Sequence, residues 1–209
     1  MRALKIDNTI IDDNSDCFVI AEVGHNHQGS VETAKQIFKK AKDSGANAVK
    51  LQKRHNRQLF TKEMYESTYS NDNSYGTTYG AHRDALEFSW DEYVDLQQYA
   101  KELGVLFFAT PFDFASVDFL EKLDVPLYKI ASGDLRNTPF LKYVAQTGKP
   151  VIISTGGGEM DDVMRAHDVV AQENPNLAIL QCTAAYPCEA EEMNLDVITT
   201  YRRSFSNTV

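Results

Sequence analysis

Short apolar runs alternate with longer amphipathic stretches along this 209-residue chain. The first run, 18–22, reads FVIAE, and the stretch at 30–44 carries apolar residues at helical spacing before Gly45. Strand-like runs are predicted at 18–22, 46–52, 105–110, 127–132, 151–155 and 177–183. Helices are predicted at 30–44, 90–103, 113–123, 139–147, 159–172 and 195–203.

Regular alternation of strands and helices predicts an α/β fold with a parallel sheet covered by helices. The strands are almost continuously apolar, as expected for strands that are buried on both faces. Two architectures fit, a doubly wound open sheet and a (β/α)8 TIM barrel. The turn at 24–29 has glycines only at its ends and lacks the G-x-G-x-x-G pattern of a dinucleotide-binding open sheet. Every strand ends in polar residues, which favours the barrel, because a barrel enzyme builds its site from several strand ends.

Two segments fall outside this alternation. Residues 4–7 and 9–11 read as a short N-terminal β-hairpin, which we expect to plug the bottom of the barrel. Residues 53–89 form one long irregular connection that is rich in Tyr, Asn, Ser, Thr and Gly. Long loops of this kind are usually functional or disordered. The composition suits a lid over a polyhydroxylated substrate and equally suits a mobile surface excursion.

Length and composition indicate one soluble globular domain, with 43% hydrophobic and 24% charged residues. A net charge of −9 argues against a nucleic-acid partner, although a local basic pocket can still bind an anionic substrate. No run approaches the roughly 20 apolar residues of a membrane span, and the N-terminus lacks the pattern of a signal peptide. The three cysteines show no zinc or disulfide spacing. A cytoplasmic protein without a membrane partner is therefore predicted.

Lys50 and Lys129 are the most informative candidate residues, since each sits inside an apolar strand run and lysine is rarely buried unless it is paired. Such a lysine binds phosphate as a compact cation or, after losing its proton, forms a Schiff base. The structural alternative is an ion pair with Glu22 or Asp134. Glu22 suits orienting a substrate hydroxyl or moving a proton, and this role is compatible with its being a counter-ion.

Small hydroxyl residues, histidines and a cysteine supply weaker signals. Ser132 begins an S-G-D turn and Ser154 begins S-T-G-G-G, where glycines let backbone N–H groups approach an anion, although plain connectors have similar turns. His25 and His27 form an H-x-H pair, which can ligate a metal but more often only forms hydrogen bonds. Cys182 ends a strand and is interpreted as a small buried residue rather than a nucleophile.

Six motifs occur in order: IAEVGHNHQG, AVKLQ, YGxHRxALEFS, YKIASGD, IISTGG and LQCTAAYP. Together they closely resemble the sialic acid synthase family, which makes nonulosonic acids such as N-acetylneuraminate, legionaminate and pseudaminate. The resemblance implies a (β/α)8 barrel and a carbon–carbon bond-forming transferase of carbohydrate biosynthesis. Its substrates would be phosphoenolpyruvate and an open-chain N-acetylated amino sugar, N-acetylmannosamine or a relative. A divalent metal, Mn²⁺ or Mg²⁺, would polarise the sugar aldehyde.

The resemblance also implies roles for individual residues. Lys50 and Lys129 would hold phosphoenolpyruvate and would form the catalytic groups together with Glu22. The hydroxyls that would support the carboxylate and phosphate of phosphoenolpyruvate are those of Thr110, Ser132 and Ser154. The residues that would face the amino sugar are Glu22, Gln52, Asn71, Tyr79 and Tyr186. Two positions depart from the family pattern: Asp134, where some relatives have Glu, and Ala184, where some have a polar phosphate contact.

The number of strand–helix units is smaller than a barrel needs. Eight units in about 250 residues are usual, and the sequence has six units and the start of a seventh strand at 208–209. We therefore expect residues 1–209 to be a truncated synthase barrel domain of a longer homodimeric enzyme, inactive alone. The resemblance places the metal ligands beyond residue 209, with none within this chain, and likewise a C-terminal antifreeze-like domain.

Two other functions stay open at this point. One is another phosphoenolpyruvate-using or Schiff-base barrel aldolase, which borohydride trapping separates because the synthase forms no imine. The other is a non-catalytic remnant that binds phosphoenolpyruvate or a sugar. The motifs do not specify which amino sugar is the acceptor, because the residues that read it lie on variable loops.

Overall fold

The computed structural model describes residues 2–209, which divide into two units. The first unit comprises Phe18–Val125, and the second joins the N-terminal segment up to Cys17 with Pro126–Val209. Each unit contains a three-stranded parallel sheet with helical connections, which confirms the predicted α/β class. None of the helices within residues 2–209 is long and apolar enough to cross a bilayer.

The sheet of the first unit has three strands, which neighbour one another in chain order. Its strands are β3 at Ile20–Gly24, β4 at Ala48–Lys53 and β5 at Leu106–Pro111. The long helices of this unit are α1 at Val31–Asp43, α5 at Trp90–Leu103 and α6 at Phe114–Leu123. The central strand β4 is buried over its first four residues, which accounts for its near-continuous apolar sequence.

Local sequence signals fix the ends of these helices. Ser30 caps α1 by accepting a hydrogen bond from the Thr33 N–H group, and Ser89 forms a capping box with Glu92 at the start of α5. Gly104 ends α5 in the left-handed conformation, with φ of 67°. These caps explain why the predicted bounds of both helices agree closely with the structure.

The prediction of an irregular connection at 53–89 is wrong in part. The segment contains three short helices, α2 at Asn56–Leu59, α3 at Lys62–Glu66 and α4 at Tyr79–Asp84. Helices of four to six residues are too short for a helical period to show in the sequence. A backbone bridge joins Thr68 to Thr78, and the ring of His82 lies against the rings of Tyr69 and Tyr75. The segment is therefore held by its own contacts.

The parallel sheet of the second unit also has three strands that neighbour one another in chain order. Its strands are β6 at Tyr128–Ile130, β7 at Val151–Ser154 and β8 at Leu177–Leu180. The helices are α7 at Thr138–Ala145, α8 at Met160–Glu173 and α9 at Val197–Ser204, with single 3₁₀ turns at Ser132–Asp134 and Ala190–Glu192. Every residue of the central strand β7 is buried, as its apolar sequence requires.

The second unit also contains an antiparallel pair, β1 at Ala3–Ile6 and β2 at Thr9–Asp12. The Lys5 backbone exchanges two hydrogen bonds with the side chain of Asn176: its N–H donates to Oδ1 at 2.9 Å, and its carbonyl accepts from Nδ2 at 2.7 Å. Asn176 directly precedes β8, so this hairpin is attached at the amino end of that strand. Its role as a plug of a complete barrel stays a prediction.

The seventh strand predicted at 208–209 is not formed as a strand in the described residues. The Val209 carbonyl accepts one hydrogen bond, at 2.9 Å, from the Ile179 N–H group of β8. This contact brings residue 209 alongside β8, as a further parallel strand would require, but a single bond does not make a strand.

Candidate active site

The strand register of the first unit brings four predicted site residues together at the carboxyl ends of its strands. Glu22 on β3 pairs with Lys50 on β4, and Gln52 on β4 pairs with Thr110 on β5. Because side chains alternate along a strand, Lys50 and Gln52 project from the same face of β4. We call Glu22, Lys50, Gln52 and Thr110 the Lys50 cluster.

Lys50 is the buried cation of this cluster. Its Nζ atom lies 2.5 Å from Glu22 Oε2 and donates a hydrogen bond to Thr110 Oγ1 at 2.7 Å. Burial lowers the pKa of Lys50, and the neighbouring Glu22 carboxylate raises it only in part, so the pKa stays below its ordinary value. The ion pair expected as the structural alternative is confirmed. The Glu22 side chain is nevertheless 53% exposed, which leaves its carboxylate accessible to a ligand.

Gly24 brings the polar ends of Glu22 and Gln52 close to one another. Its φ of 54° is a backbone conformation that side chains disfavour. A Cβ atom at this position would lie 3.4 Å from Glu22 Oε1 and 3.7 Å from Gln52 Nε2. The carboxylate and the amide therefore converge above Gly24, where they offer a hydrogen-bond acceptor and a donor side by side.

Arg54, which follows β4, is a site residue that the sequence reasoning missed. One of its terminal nitrogens donates to Gln52 Oε1 at 2.8 Å, and the other lies 3.1 Å from His25 Nε2. Burial lowers the pKa of Arg54, and the nearby Arg83 guanidinium acts in the same direction. The signal that was available is the pair Lys53–Arg54, which prolongs the polar end of β4 directly after Gln52.

Glu87 is a second missed residue, and it balances this group of cations. Its Oε2 atom accepts hydrogen bonds from Lys53 Nζ at 3.0 Å and from the Arg54 N–H group at 3.2 Å. Burial alone would raise the pKa of Glu87. The nearby His25 ring, whose Nε2 lies 3.7 Å from Glu87 Oε1, and the charge of Lys53 lower it by more, so the pKa of the carboxyl group stays below its usual range. Glu87 is therefore a half-buried carboxylate whose negative charge pairs with the Lys53 ammonium.

The H-x-H pair is built into the structure without a metal-binding arrangement. His27 is buried, stacks on Phe88 with ring centroids 4.1 Å apart, and accepts a hydrogen bond at Nδ1 from the Gly29 N–H group at 3.1 Å. Burial lowers the pKa of His27 to about 4, so its ring is neutral at physiological pH. Within residues 2–209, no three His, Cys, Asp or Glu side chains come together as a metal-ion site.

The second unit carries the other predicted lysine. Lys129 Nζ donates hydrogen bonds to Ser154 Oγ at 2.5 Å and to the Ile130 carbonyl at 2.7 Å. Lys129 is 9% exposed, so this ammonium is buried at the carboxyl ends of β6 and β7. The contact with Ser154 joins two of the residues for which the family resemblance implies phosphoenolpyruvate binding.

Ser132 is tied to the turn that follows β7. Its Oγ atom accepts a hydrogen bond from the Gly156 N–H group at 2.9 Å. A Cβ atom on Gly156 would lie 2.9 Å from Ser132 Oγ and 3.2 Å from both Ala184 N and Cys182 Sγ. A glycine is therefore required at position 156 for the S-G-D and S-T-G-G-G turns to meet.

A cavity of about 560 Å³ opens at the carboxyl ends of β7 and β8. Residues along its wall include Thr155, Gly157, Cys182, Thr183 and Ala184. Cys182 is only partly buried, so the prediction of a small buried residue is wrong for it: the side chain faces this cavity. Ala184, one of the two positions that depart from the family pattern, also lines this cavity.

The other three predicted sugar-binding residues are Asn71 and Tyr79 in the first unit and Tyr186 in the second. Asn71 is exposed and its Oδ1 accepts a hydrogen bond from the Asn73 N–H group at 2.9 Å, within a turn. The hydroxyl of Tyr79 accepts a hydrogen bond from Arg83 at 2.8 Å. Tyr186 is 95% exposed. Among the described residues of the first unit, no hydrogen bond joins Asn71 or Tyr79 to the cluster, and the roles of all three residues stay predictions.

Each lysine presents a buried ammonium that contacts a hydroxyl group, an arrangement that can accept an oxyanion. A buried ammonium that already contacts hydroxyl groups needs little reorganisation to accept the oxygen of a phosphate or a carboxylate. In the first unit, the half-exposed Glu22 adds a group that can take up a proton or orient a hydroxyl. The arrangement suits chemistry on an anionic substrate that reacts with a hydroxylated partner.

The chain is similar to curated synthases of nonulosonic acids. The sequence profile of the NeuB family matches residues 37–209. The chain is 43% identical to N-acetylneuraminate-9-phosphate synthase of Mus musculus over 189 residues, which cover 90% of the chain and 53% of that protein. It is 37% identical to N,N'-diacetyllegionaminic acid synthase of Legionella pneumophila, covering 90% of the chain and 55% of that protein. The chain spans about half the length of the curated relatives that it matches.

Solved structures agree with these sequence relatives. The N-acetylneuraminic acid synthetase of Leptospira borgpetersenii superposes with a TM-score of 0.86 at 27% identity, covering 99% of this chain and 68% of that one. The spore coat polysaccharide biosynthesis protein SpsE of Bacillus subtilis gives a TM-score of 0.82 at 32% identity, covering 99% of this chain and 55% of that one. The profile match, the identities and the superpositions agree, and the chain belongs to the NeuB family, the sialic acid synthase family that its six motifs indicate.

Proposed function

We propose that the protein containing this chain condenses phosphoenolpyruvate with an open-chain N-acetylated amino sugar, such as N-acetylmannosamine, to give a nonulosonic acid and phosphate. Membership of the NeuB family and the names of its relatives support this reaction. The observation that carries the proposal is the Lys50 cluster. A buried ammonium, a hydroxyl and a half-exposed carboxylate meet there at the carboxyl ends of parallel strands.

Phosphoenolpyruvate carries roughly three negative charges, so its binding calls for fixed cations and hydrogen-bond donors. We assign the cationic contacts to Lys50 and Lys129. The hydroxyl contacts are assigned to Thr110, Ser132 and Ser154. Support comes from the burial of both lysines and from their short contacts with Thr110 and Ser154, which hold each ammonium in place before a ligand arrives.

In the proposed reaction, C3 of phosphoenolpyruvate forms a bond to the aldehyde carbon of the sugar, whose oxygen takes up a proton. The positive charge that develops at C2 is quenched by water, which loses a proton to a base. In the resulting adduct the bond between C2 and the phosphate-bearing oxygen breaks, the C2 hydroxyl gives its proton to the departing phosphate, and the 2-keto group of the product forms. Glu22 is the proposed base, because its carboxylate is accessible. Together with Gln52 it also orients a sugar hydroxyl, and its contact with the Lys50 ammonium holds it in place.

The family resemblance adds a divalent metal, Mn²⁺ or Mg²⁺, which when bound supplies polarisation of the sugar aldehyde. Residues 2–209 do not fit such a metal, because they contain no cluster of three suitable ligands. The residues of this chain are therefore assigned only to binding, orientation and proton transfer.

The architecture and assembly of the whole protein are also proposals. A complete (β/α)8 barrel is supported by the parallel sheets of both units and by the TM-score of 0.86 with a solved synthetase. The family resemblance supports a homodimer in the cytoplasm. Sedimentation equilibrium of the full-length protein tests the dimer directly, with a single species of monomer mass as the contrary result.

The activity is tested with the full-length protein and phosphoenolpyruvate labelled with ¹⁸O in the oxygen that bridges C2 and phosphorus. We expect phosphate release that depends on the sugar and carries the label, because the C2–O bond breaks. The acceptor panel comprises N-acetylmannosamine and its phosphorylated and diacetamido relatives, with Lys50→Met as the inactive control. Unlabelled phosphate, or release without sugar, would contradict the proposal.

A Schiff-base aldolase is the second candidate, and the lowered pKa of Lys50 favours it, since an imine forms from a neutral amine. The Glu22 carboxylate 2.5 Å away opposes it, because it stabilises the protonated ammonium. Borohydride added with pyruvate or the sugar separates the two reactions. A stable mass increase on a peptide containing Lys50 would favour the aldolase, and an unmodified peptide favours the synthase.

A further inference from the structure

Arg54 is held on three sides in the first unit. Its guanidinium donates a hydrogen bond to Gln52 Oε1 at 2.8 Å and lies 3.1 Å from His25 Nε2. The plane of the same group rests on the ring of Phe112, with 3.8 Å between its central carbon and the ring centroid. A guanidinium has a rigid planar fork of donors, so these contacts fix the direction of each N–H group.

The contact with Arg54 decides which end of the Gln52 amide is available to a ligand. The carbonyl oxygen Oε1 is used by Arg54, so the amide nitrogen Nε2 points the other way. This nitrogen lies towards Gly24, where the Glu22 carboxylate also arrives. A ligand above Gly24 therefore meets an N–H donor from Gln52 and an acceptor from Glu22.

Removing the Arg54 guanidinium from water costs free energy, which argues that its contacts are more than a solvated surface interaction. Burial lowers the pKa of Arg54, as expected for a cation removed from water. The Glu87 carboxylate contacts Lys53 Nζ and the backbone N–H of Arg54, whereas the Arg54 guanidinium contacts the Gln52 amide and the His25 ring. An arginine kept only for charge balance would be expected to direct its guanidinium N–H groups at a carboxylate. Here the fork is directed at an amide and an imidazole.

We propose that Arg54 is a positioning residue for the acceptor sugar: it holds the Gln52 amide so that its N–H group meets a carbonyl or hydroxyl oxygen while Glu22 accepts from an adjacent hydroxyl. This inference rests on the proposed function and deepens it. The acceptor is thereby defined as a compound with an oxygen acceptor and a hydroxyl donor next to one another. An open-chain polyhydroxy sugar that carries an acetamido or aldehyde carbonyl has this pattern.

The test compares four variants of the full-length protein: Arg54→Met, Arg54→Lys, Gln52→Ala and the double variant Arg54→Met with Gln52→Ala. We expect each single variant to lower kcat/KM for the sugar by about tenfold or more, with the KM for phosphoenolpyruvate unchanged. The double variant should be no worse than the worse single variant, because both changes remove the same contact. Arg54→Lys should not rescue, since lysine keeps the charge and loses the fork. Arg57→Met, an exposed position of the same segment, is the control.

Additive losses in the double variant, rescue by Arg54→Lys, or an equal loss of phosphoenolpyruvate affinity would each overturn the proposal. If the Arg54 variants fail to fold, Gln52→Glu replaces them. It keeps a partner for Arg54 but removes the N–H donors, and it should lose sugar binding while its unfolding temperature is maintained. Retained sugar affinity in Gln52→Glu would also refute the proposal.

Calorimetric titration of N-acetylmannosamine into each variant gives a readout that does not depend on turnover. If the wild-type protein binds the sugar but releases no phosphate, the proposed function is contradicted. The role of Arg54 is then judged from the sugar affinities of the variants. A wild-type protein that turns over, but whose affinities are unaffected by Arg54→Met, contradicts only the role of Arg54.

Discussion

Glu22 Oε2 lies 2.5 Å from Lys50 Nζ, so a half-exposed carboxylate stabilises the charge of a buried ammonium. Burial favours the neutral amine of Lys50, and Glu22 acts against this preference. The pair therefore sets the pH range over which the cation exists. An enzyme that uses Lys50 to hold an oxyanion loses that contact once the ammonium loses its proton.

Replacing Glu22 by Gln should move the alkaline limit of phosphoenolpyruvate binding to lower pH. The pKa of Lys50 is already below its ordinary value because of burial, and removal of the carboxylate lowers it further. The ammonium is then lost at a lower pH, and affinity falls with it. Titration calorimetry from pH 6 to 10 measures this shift, with the exposed Glu32→Gln as the control. An unchanged or higher alkaline limit in Glu22→Gln would show that Glu22 does not maintain the charge of Lys50.

Lys129→Ala in the full-length protein should weaken phosphoenolpyruvate binding by more than about 100-fold, because it removes a buried cation. Ser154→Ala should cost about 10- to 100-fold, the range for a hydrogen bond to a charged group, since Ser154 contacts Lys129 Nζ at 2.5 Å. The matched control is Lys142→Ala, which removes an exposed ion pair with Glu173 that is worth little. Isothermal titration with phosphoenolpyruvate gives all three affinities. Wild-type affinity in a folded Lys129→Ala protein would leave that lysine with a structural role only.

Gly156→Ala should impair phosphoenolpyruvate binding more than Gly133→Ala. A Cβ at position 156 meets Ser132 Oγ at 2.9 Å, and the neighbouring Ala184 N and Cys182 Sγ leave little room for it to move. A Cβ at position 133 meets nothing within 4 Å, so that variant controls for the loss of a glycine in a turn. We expect Gly156→Ala to lower the affinity for phosphoenolpyruvate by about tenfold or more. Gly133→Ala should change the free energy of unfolding by less than about 0.5 kcal/mol. Equal effects of the two changes would refute the close-approach argument.

The parts of this site that follow from strand alternation could be predicted from sequence. Lys50 and Gln52 are two residues apart on one strand, so their shared face is fixed by the period of two. A lysine within an apolar run identified both buried cations without a structure. Glu22 and Asp134 were both possible partners of Lys50. Parallel strands bring their carboxyl ends together, but a single sequence does not show the register between strands.

The parts that depend on contacts across a loop could not be predicted. Arg54 lies 29 residues from His25 and 33 residues from Glu87 in the sequence, and the contact between Arg54 and Glu87 depends on the path of the short helices within 53–89. Those helices have no detectable period, and no local pattern links Arg54 to Phe112. The site of Cys182 was misjudged for a related reason, since exposure to a cavity depends on the path of residues 183–201 rather than on the strand.

Hydrogen exchange of the 53–89 segment should slow when phosphoenolpyruvate and the sugar are present together. The aromatic contacts of His82 and the bridge between Thr68 and Thr78 order this segment. We therefore expect the segment to move as one ordered unit when it closes over a ligand. Exchange measured by mass spectrometry, with phosphoenolpyruvate alone as the control, separates the lid from a surface excursion. Identical exchange with and without saturating ligands would make it a surface excursion.

Acid should destabilise the protein through His27. The pKa of His27 in the folded protein is about 4, mainly because of burial and then because of His25, compared with 6.5 in an unfolded chain. Between these values the unfolded state binds the proton and the folded state does not, so the free energy of unfolding is greatest above pH 6.5 and falls as the pH drops towards 4. The shift corresponds to at most about 3 kcal/mol. His27→Gln keeps an acceptor for the Gly29 N–H group without titrating, so its urea unfolding should depend less on pH over this window. The exposed His55→Gln should keep the wild-type dependence, and the same slope in His27→Gln as in the wild type would assign the acid sensitivity to another group.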